Sequence, residues 1–138
     1  MKTQDLMRWL DSYKYAWENQ DPDTFVKLFT PDCEYRDNPF IEPVPGKQFH
    51  AFWSALAKIQ QDNHIDLEFL GWTSENRAMV NWQAQSTKRG TSERREGNGV
   101  FLLRFTEHGR CSDVLEWQHW QAVDAPLEKR TFFNWQAS

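Results

Sequence analysis

The chain has 138 residues, a net charge of −4 and a pI near 5.5, long enough for one domain that buries about two-thirds of its unfolded surface. Acids and bases alternate, and the densest cations, Lys88-Arg89 and Arg94-Arg95, are diluted by Glu93 and Glu96, so no basic stripe recommends nucleic acid. No run of about 18 apolar residues offers a membrane span, the N-terminus lacks a signal peptide's apolar stretch, and Cys33 and Cys111 are too few for a disulfide framework; a reduced, cytoplasmic protein is expected.

Leu6, Trp9, Leu10, Tyr13, Ala16 and Trp17 recur at three- and four-residue spacing and predict an amphipathic helix ending near Asn19-Gln20-Asp21-Pro22. Asp21 reads as the N-cap of a second, short helix with Pro22 at its first position. That helix is expected to turn Phe25, Leu28 and Phe29 inward and to end at Thr30-Pro31. Cys33 to Asp37 predicts a short strand, followed by an irregular loop with three prolines from Asn38 to Gly46. A third helix is expected over Lys47 to Gln60, with Phe49, Phe52, Trp53, Leu56 and Ile59 inward.

After Asn63 the period changes to two. Alternation at Ile65–Phe69, Met79–Trp82, Val100–Phe105 and Leu115–Trp120 predicts four long antiparallel strands. Turns fall at Ser74-Glu75-Asn76, Arg89-Gly90-Thr91 and Glu107-His108-Gly109. The order gives an α+β domain, 1–138, in which a curved antiparallel sheet wraps around the N-terminal helices. The unusual quantity is aromatic: 8 Trp, 10 Phe and 3 Tyr. Such rings bury much area and pack at angles that leave voids, so they suit a cavity lining, and equally a filled core or a dimer interface.

Four stretches in this order carry a resemblance: WENQDPDTFVKLFTPDCEYRDNP, the Pro45-Gly46-Lys47 start of the third helix, VFLLRFTEHGRC and DVLEWQHW. The chain resembles the nuclear transport factor 2-like superfamily, in its SnoaL-like and ketosteroid-isomerase-like branch. The resemblance implies a cone-shaped half-barrel with a deep apolar cavity, commonly a homodimer through the outer sheet face, and no required metal or organic cofactor. The same fold hosts isomerases, cyclases, dehydratases, epoxide hydrolases and non-catalytic members, so fold alone does not give function.

Arg36-Asp37-Asn38-Pro39 is similar to the segment that carries the proton-shuttling carboxylate of ketosteroid isomerases, with one residue inserted before the proline. Asp37 is thereby a candidate base; its alternatives are a cap on the Asn-Pro turn or a solvent pair with Arg36. Tyr13 matches the tyrosine that donates to the developing oxyanion, a bond that counts because the charge grows only in the transition state. Its alternative is an ordinary helix-face tyrosine. The acid that completes that oxyanion hole would stand where this sequence has Phe101, which weighs against an efficient steroid isomerase.

On the last strand Val114, Glu116, Gln118 and Trp120 share one face, and SnoaL-like cyclases carry an acid–base aspartate on this strand. A Glu in an aromatic cavity has its pKa raised unless it is paired; the alternative is a structural pair with Arg104 or a solvent-facing side chain. The limonene-epoxide-hydrolase pattern of Asp-Arg-Asp is missing around Arg104 and Asp113.

The expected lining is Trp17, Tyr35, Trp53, Trp82 and Phe101. The four histidines lack ligand spacing, so no metal site is expected. The resulting expectation is a pocket for a small apolar molecule, with cofactor-free proton transfer (isomerase, cyclase or dehydratase type) by Asp37, Glu116 and Tyr13. The alternative is a non-catalytic ligand-binding or dimerisation module. The C-terminal stretch Arg130 to Trp135 could plug the cone, cross to a partner or stay free.

Overall fold

The computed structural model describes residues 1–123; the stretch Arg130 to Trp135 lies outside the described residues. Helix α1 spans Thr3–Glu18 and buries Leu6, Trp9, Leu10, Tyr13, Ala16 and Trp17, the face its spacing predicts. Helix α2, Pro22–Lys27, starts as its sequence demands: the Asp21 carboxylate accepts from the Thr24 N–H at 3.1 Å and from its hydroxyl at 2.8 Å. These bonds hold the Asp21 pKa below its usual value.

Helix α2 stops earlier than expected. Leu28 is its C-cap, and the Leu28 carbonyl accepts from Cys111 N at 2.8 Å and Trp9 Nε1 at 2.9 Å. The chain is thereby turned into strand β1, Phe29–Arg36, rather than carried on to Pro31. Pro31, which has no N–H to give, sits where the β1 register shifts between Phe29 and Glu34. A two-residue strand β2, Val44–Pro45, follows, then a 3-10 turn, Gly46–Gln48, where the first turn of the third helix was expected. Helix α3 is Phe49–Ile59, and Ile59, expected inward, is 58% exposed at its end.

Strands β3 (Gln60–Trp72), β4 (Ala78–Lys88), β5 (Arg94–Phe105) and β6 (Cys111–Val123) form the predicted antiparallel meander. All are longer than their apolar alternation suggests. In β5 the reason is Gly97 and Gly99, which interrupt the pattern. A Cβ on Gly97 would lie 2.6 Å from the Trp120 ring, and one on Gly99 would lie 2.7 Å from the Trp82 ring. The glycines are where two indoles lie flat on the strand.

The sheet is six-stranded, ordered β2-β1-β6-β5-β4-β3, curved and unclosed. It is not wholly antiparallel: β1 pairs with β6 in parallel, Tyr35 beside Val114 and Arg36 beside Leu115. The helices cover its inner face. Phe25 stacks on Trp53 with centroids 3.6 Å apart, and Trp9 stacks on Tyr13 while meeting Phe29 and Phe105 edge-on. The edge-on contacts of Trp9 each add about 1 kcal/mol beyond burial. Helix α1 is tied to β3 through Glu18, which accepts from Ile65 N at 3.0 Å, ion-pairs with Lys14, and lies 2.8 Å from His64 Nδ1.

Candidate functional site

Between the helices and the inner sheet face lies a cavity of about 670 Å³, within the range for small-molecule sites. All eight residues expected to line or work in a pocket border it: Tyr13 and Trp17 from α1, Tyr35 and Asp37 from β1 and its exit, Trp53 from α3, Trp82, Phe101 and Glu116 from β4, β5 and β6. Phe40, placed by the sequence beside Asp37, is 93% exposed and away from the cavity.

The parallel β1–β6 pairing assembles the polar end. Arg36 is level with Leu115, so the next residue, Asp37, emerges beside Glu116. Gln118 joins the two. Its Nε2 donates to the Asp37 carboxylate at 2.7 Å, to the Asp37 carbonyl at 2.7 Å, and to Glu116 Oε1 at 3.3 Å. Trp120 Nε1 donates to Gln118 Oε1 at 2.7 Å, which fixes the amide's orientation. Period two on β6 placed Gln118 and Trp120 on the Glu116 face; their bonds depend on a register that one strand does not reveal.

Asp37 does not take the turn role. Asn38 caps the loop, its side chain accepting from Phe40 N at 2.8 Å, and Arg36 donates to the Ile41 carbonyl at 3.2 Å. Nor does Glu116 meet Arg104, which is exposed on the opposite face, while Asp113 ion-pairs with Arg77 at 3.1 Å. Among the described residues neither Asp37 nor Glu116 has a cationic partner.

Burial pushes the Glu116 carboxyl well above the ordinary Glu range, and neighbouring Asp37 adds to the rise. Trp82 and Tyr35 act in the opposite sense as nearby donors, although the Trp82 indole N–H makes no hydrogen bond of good geometry and is left as an orphan donor in the cavity wall. The Tyr13 and Tyr35 hydroxyls lie 3.3 Å apart. Burial first, and Glu116 second, raise both phenols well above their usual pKa, so both remain neutral donors. The site thus joins a buried acid whose pKa is raised, a second acid side chain held by an amide, and three neutral donors in an aromatic enclosure.

Residues 8–114 match the SnoaL-like domain family. The chain belongs to it. No curated protein matches this SnoaL-like chain in sequence, but solved structures share its fold. The epoxide hydrolase/cyclase-like enzyme SalBIII, of pyran ring formation in the polyether salinomycin, superposes with a TM-score of 0.75 at 15% identity over 88% of this chain and 98% of its own. A hexachlorocyclohexane dehydrochlorinase, LinA type 2, gives 0.76 at 6% identity over 94% of each chain. An LEH-like epoxide hydrolase of M. tuberculosis gives 0.64 at 11% over 84% of each. At these identities the likeness establishes the fold. It is consistent with the SnoaL-like branch that the sequence resembles, and the same fold carries several small-molecule enzymes. No helix among the described residues is long and apolar enough to cross a membrane, and no cluster of His, Cys, Asp or Glu among them is placed to hold a metal ion.

Proposed function

We propose that the cavity binds an apolar, ring-containing carbonyl compound and that Asp37 and Glu116 move a proton on it without a cofactor. Asp37, on the cavity wall and accepting the Gln118 amide, is the base that removes the proton next to the carbonyl. The C–H electron pair shifts toward the carbonyl oxygen. Glu116, protonated because it is buried, gives that oxygen a hydrogen bond or its proton, and Tyr13 is a further donor, with Tyr35 and Trp82 close by. In an unsaturated ketone, return of a proton at the γ-carbon of the dienol would complete an isomerisation; expulsion of a β-hydroxyl as water, or attack of the enolate carbon on an internal electrophile, would complete a dehydration or a ring closure.

The observation that carries this reading is the pair of carboxylates without a cation, joined through one amide inside an aromatic cavity. Groups whose surroundings separate their protonation are the usual mark of an acid–base pair. Glu116 also stands directly across from Phe101 in the β5–β6 register. It can therefore supply, from the neighbouring strand, the protonated acid that Phe101 lacks relative to ketosteroid isomerases. Pyran ring formation in SalBIII and dehydrochlorination in LinA support the reading by analogy, since the loss of HCl from a carbon skeleton requires a proton to be moved.

Deuterium incorporation from D2O into a panel of apolar cyclic ketones, followed by NMR, tests the proposal on any enolisable ketone that the cavity accepts. Wild type should exchange protons next to the carbonyl, and Asp37→Asn and Glu116→Gln should each slow this by about a hundredfold. Ketones that bind but gain no deuterium would leave the binding-module reading instead. We further propose a homodimer through the outer sheet face, where Trp117 is 43% exposed and faces Val100 across β5 and β6.

A further inference from the structure

The hairpin between β4 and β5 carries four cations, and the structure sorts them into two kinds. Arg89 is built into the scaffold: it donates to the carbonyls of Ala57 and Gln60 at 3.0 and 2.9 Å and to Gln20 Oε1 at 3.1 Å. Arg94 is used likewise, on the Asp62 carbonyl at 2.8 Å and on Thr87 and Gln85. Lys88 and Arg95 instead border the cavity, at the end where the lining becomes exposed. Neither has a carboxylate within ion-pairing distance among the described residues. Arg95 is kept on the cavity side by Trp120, its guanidinium 5.9 Å from the ring centroid. Glu93 lies on the same rim, so two cations stand against one acid.

The other end of the cavity has the opposite character. It holds Asp37 and Glu116 with only neutral donors around them, and an anion there would meet a like charge. Arg95 lies six positions before Phe101, which faces Glu116, or about 20 Å along the strand at 3.3 Å per residue. The walls between are aromatic and apolar: Trp82, Ala84, Trp53, Trp17 and Leu56.

From this polarity we infer that the ligand is an amphipathic anion, with an apolar ring body in the cavity and an anionic group at its far end held by Lys88 and Arg95. The inference rests on the proposal that the cavity binds a small molecule, and adds the ligand's charge and orientation. The reacting carbonyl enters first and the anion stays at the mouth.

Two fluorescent probes with one apolar body separate the contributions: 8-anilinonaphthalene-1-sulfonate and its uncharged counterpart N-phenyl-1-naphthylamine. Both should bind wild type and displace each other. The double variant Lys88→Gln/Arg95→Gln should weaken the sulfonate about five- to tenfold, as expected for two half-solvated charge contacts, and change the neutral probe less than twofold. Arg95→Lys with Lys88 intact should restore most of the loss, and 0.5 M salt should weaken only the sulfonate. Equal effects on both probes, or failure of the two to compete, overturn the anion site while leaving the proton-transfer proposal standing. Binding of neither probe overturns the cavity reading itself. Urea unfolding of each variant, with a midpoint and slope like those of wild type, serves as the control for folding.

Discussion

Glu96 and Glu116 lie on adjacent strands of one sheet, at 7% and 4% exposure, on opposite faces. Glu96, on the outer face, accepts from Gln83 Nε2 at 3.2 Å through one oxygen and from Gln121 Nε2 at 3.3 Å through the other. Glu116, on the inner face, has one long contact with Gln118, a second carboxylate beside it, and a cavity in front. Burial is nearly the same, yet the consequences differ. A buried carboxylate with an amide on each oxygen is a structural element, whereas one that faces space and another acid is arranged to exchange a proton.

Three variants test how far the two faces differ. The largest effect belongs to the outer face if it is the dimer surface. Trp117→Glu would place a charge on that face and should weaken dimerisation by about 3 kcal/mol, more than a hundredfold in Kd. Sedimentation velocity across concentration reads this, and a monomer already present in wild type would remove the outer-face dimer. Next is Glu96→Ala, which leaves the Gln83 and Gln121 amides without this acceptor. A loss of about 2 kcal/mol is expected in urea unfolding, with ketone and probe binding unchanged. A change in binding of the same size would mean that the outer network shapes the cavity, and the contrast between the two carboxylates would fail.

Much of this was legible in the sequence, unevenly and for physical reasons. The buried face of α1, the Asp21 cap and the meander follow from local spacing and hydrogen-bonding chemistry, which act over a few residues. Period two grouped Glu116 with Val114, Gln118 and Trp120, and the resemblance to SnoaL-like proteins pointed that face at the cavity. The parallel pairing of β1 with β6 was not legible, because strands far apart in sequence carry no local sign of their register. That pairing is what brings Asp37, Gln118 and Glu116 together. The early part of β5 was hidden because Gly97 and Gly99 look like strand breakers until the indoles of Trp120 and Trp82 are seen against them. Lys88 and Arg95 read as part of a diluted surface cluster, since only the fold separates them from Arg89 and Arg94.

The smallest effect is the one that separates the two carboxylates most directly. The folded protein holds the Glu116 proton to a higher pH than the unfolded chain does. Below the unfolded-state pKa both states are protonated and Glu116 adds no pH dependence. Above it the unfolded chain releases a proton that the folded protein keeps, so this group makes stability fall with rising pH until its folded pKa is passed. Each pH unit in that window costs about 1.4 kcal/mol. Glu116→Gln removes the titration while keeping the shape. Net of the altered contacts with Gln118 and Asp37, the variant should therefore gain stability relative to wild type as the pH rises from 4 to 8. Urea unfolding at both pH values measures it. A variant less stable at pH 8 than at pH 4, relative to wild type, would mean that the carboxylate form of Glu116 is the one the fold prefers, and Asp37 and Glu116 would then have to exchange roles as base and acid.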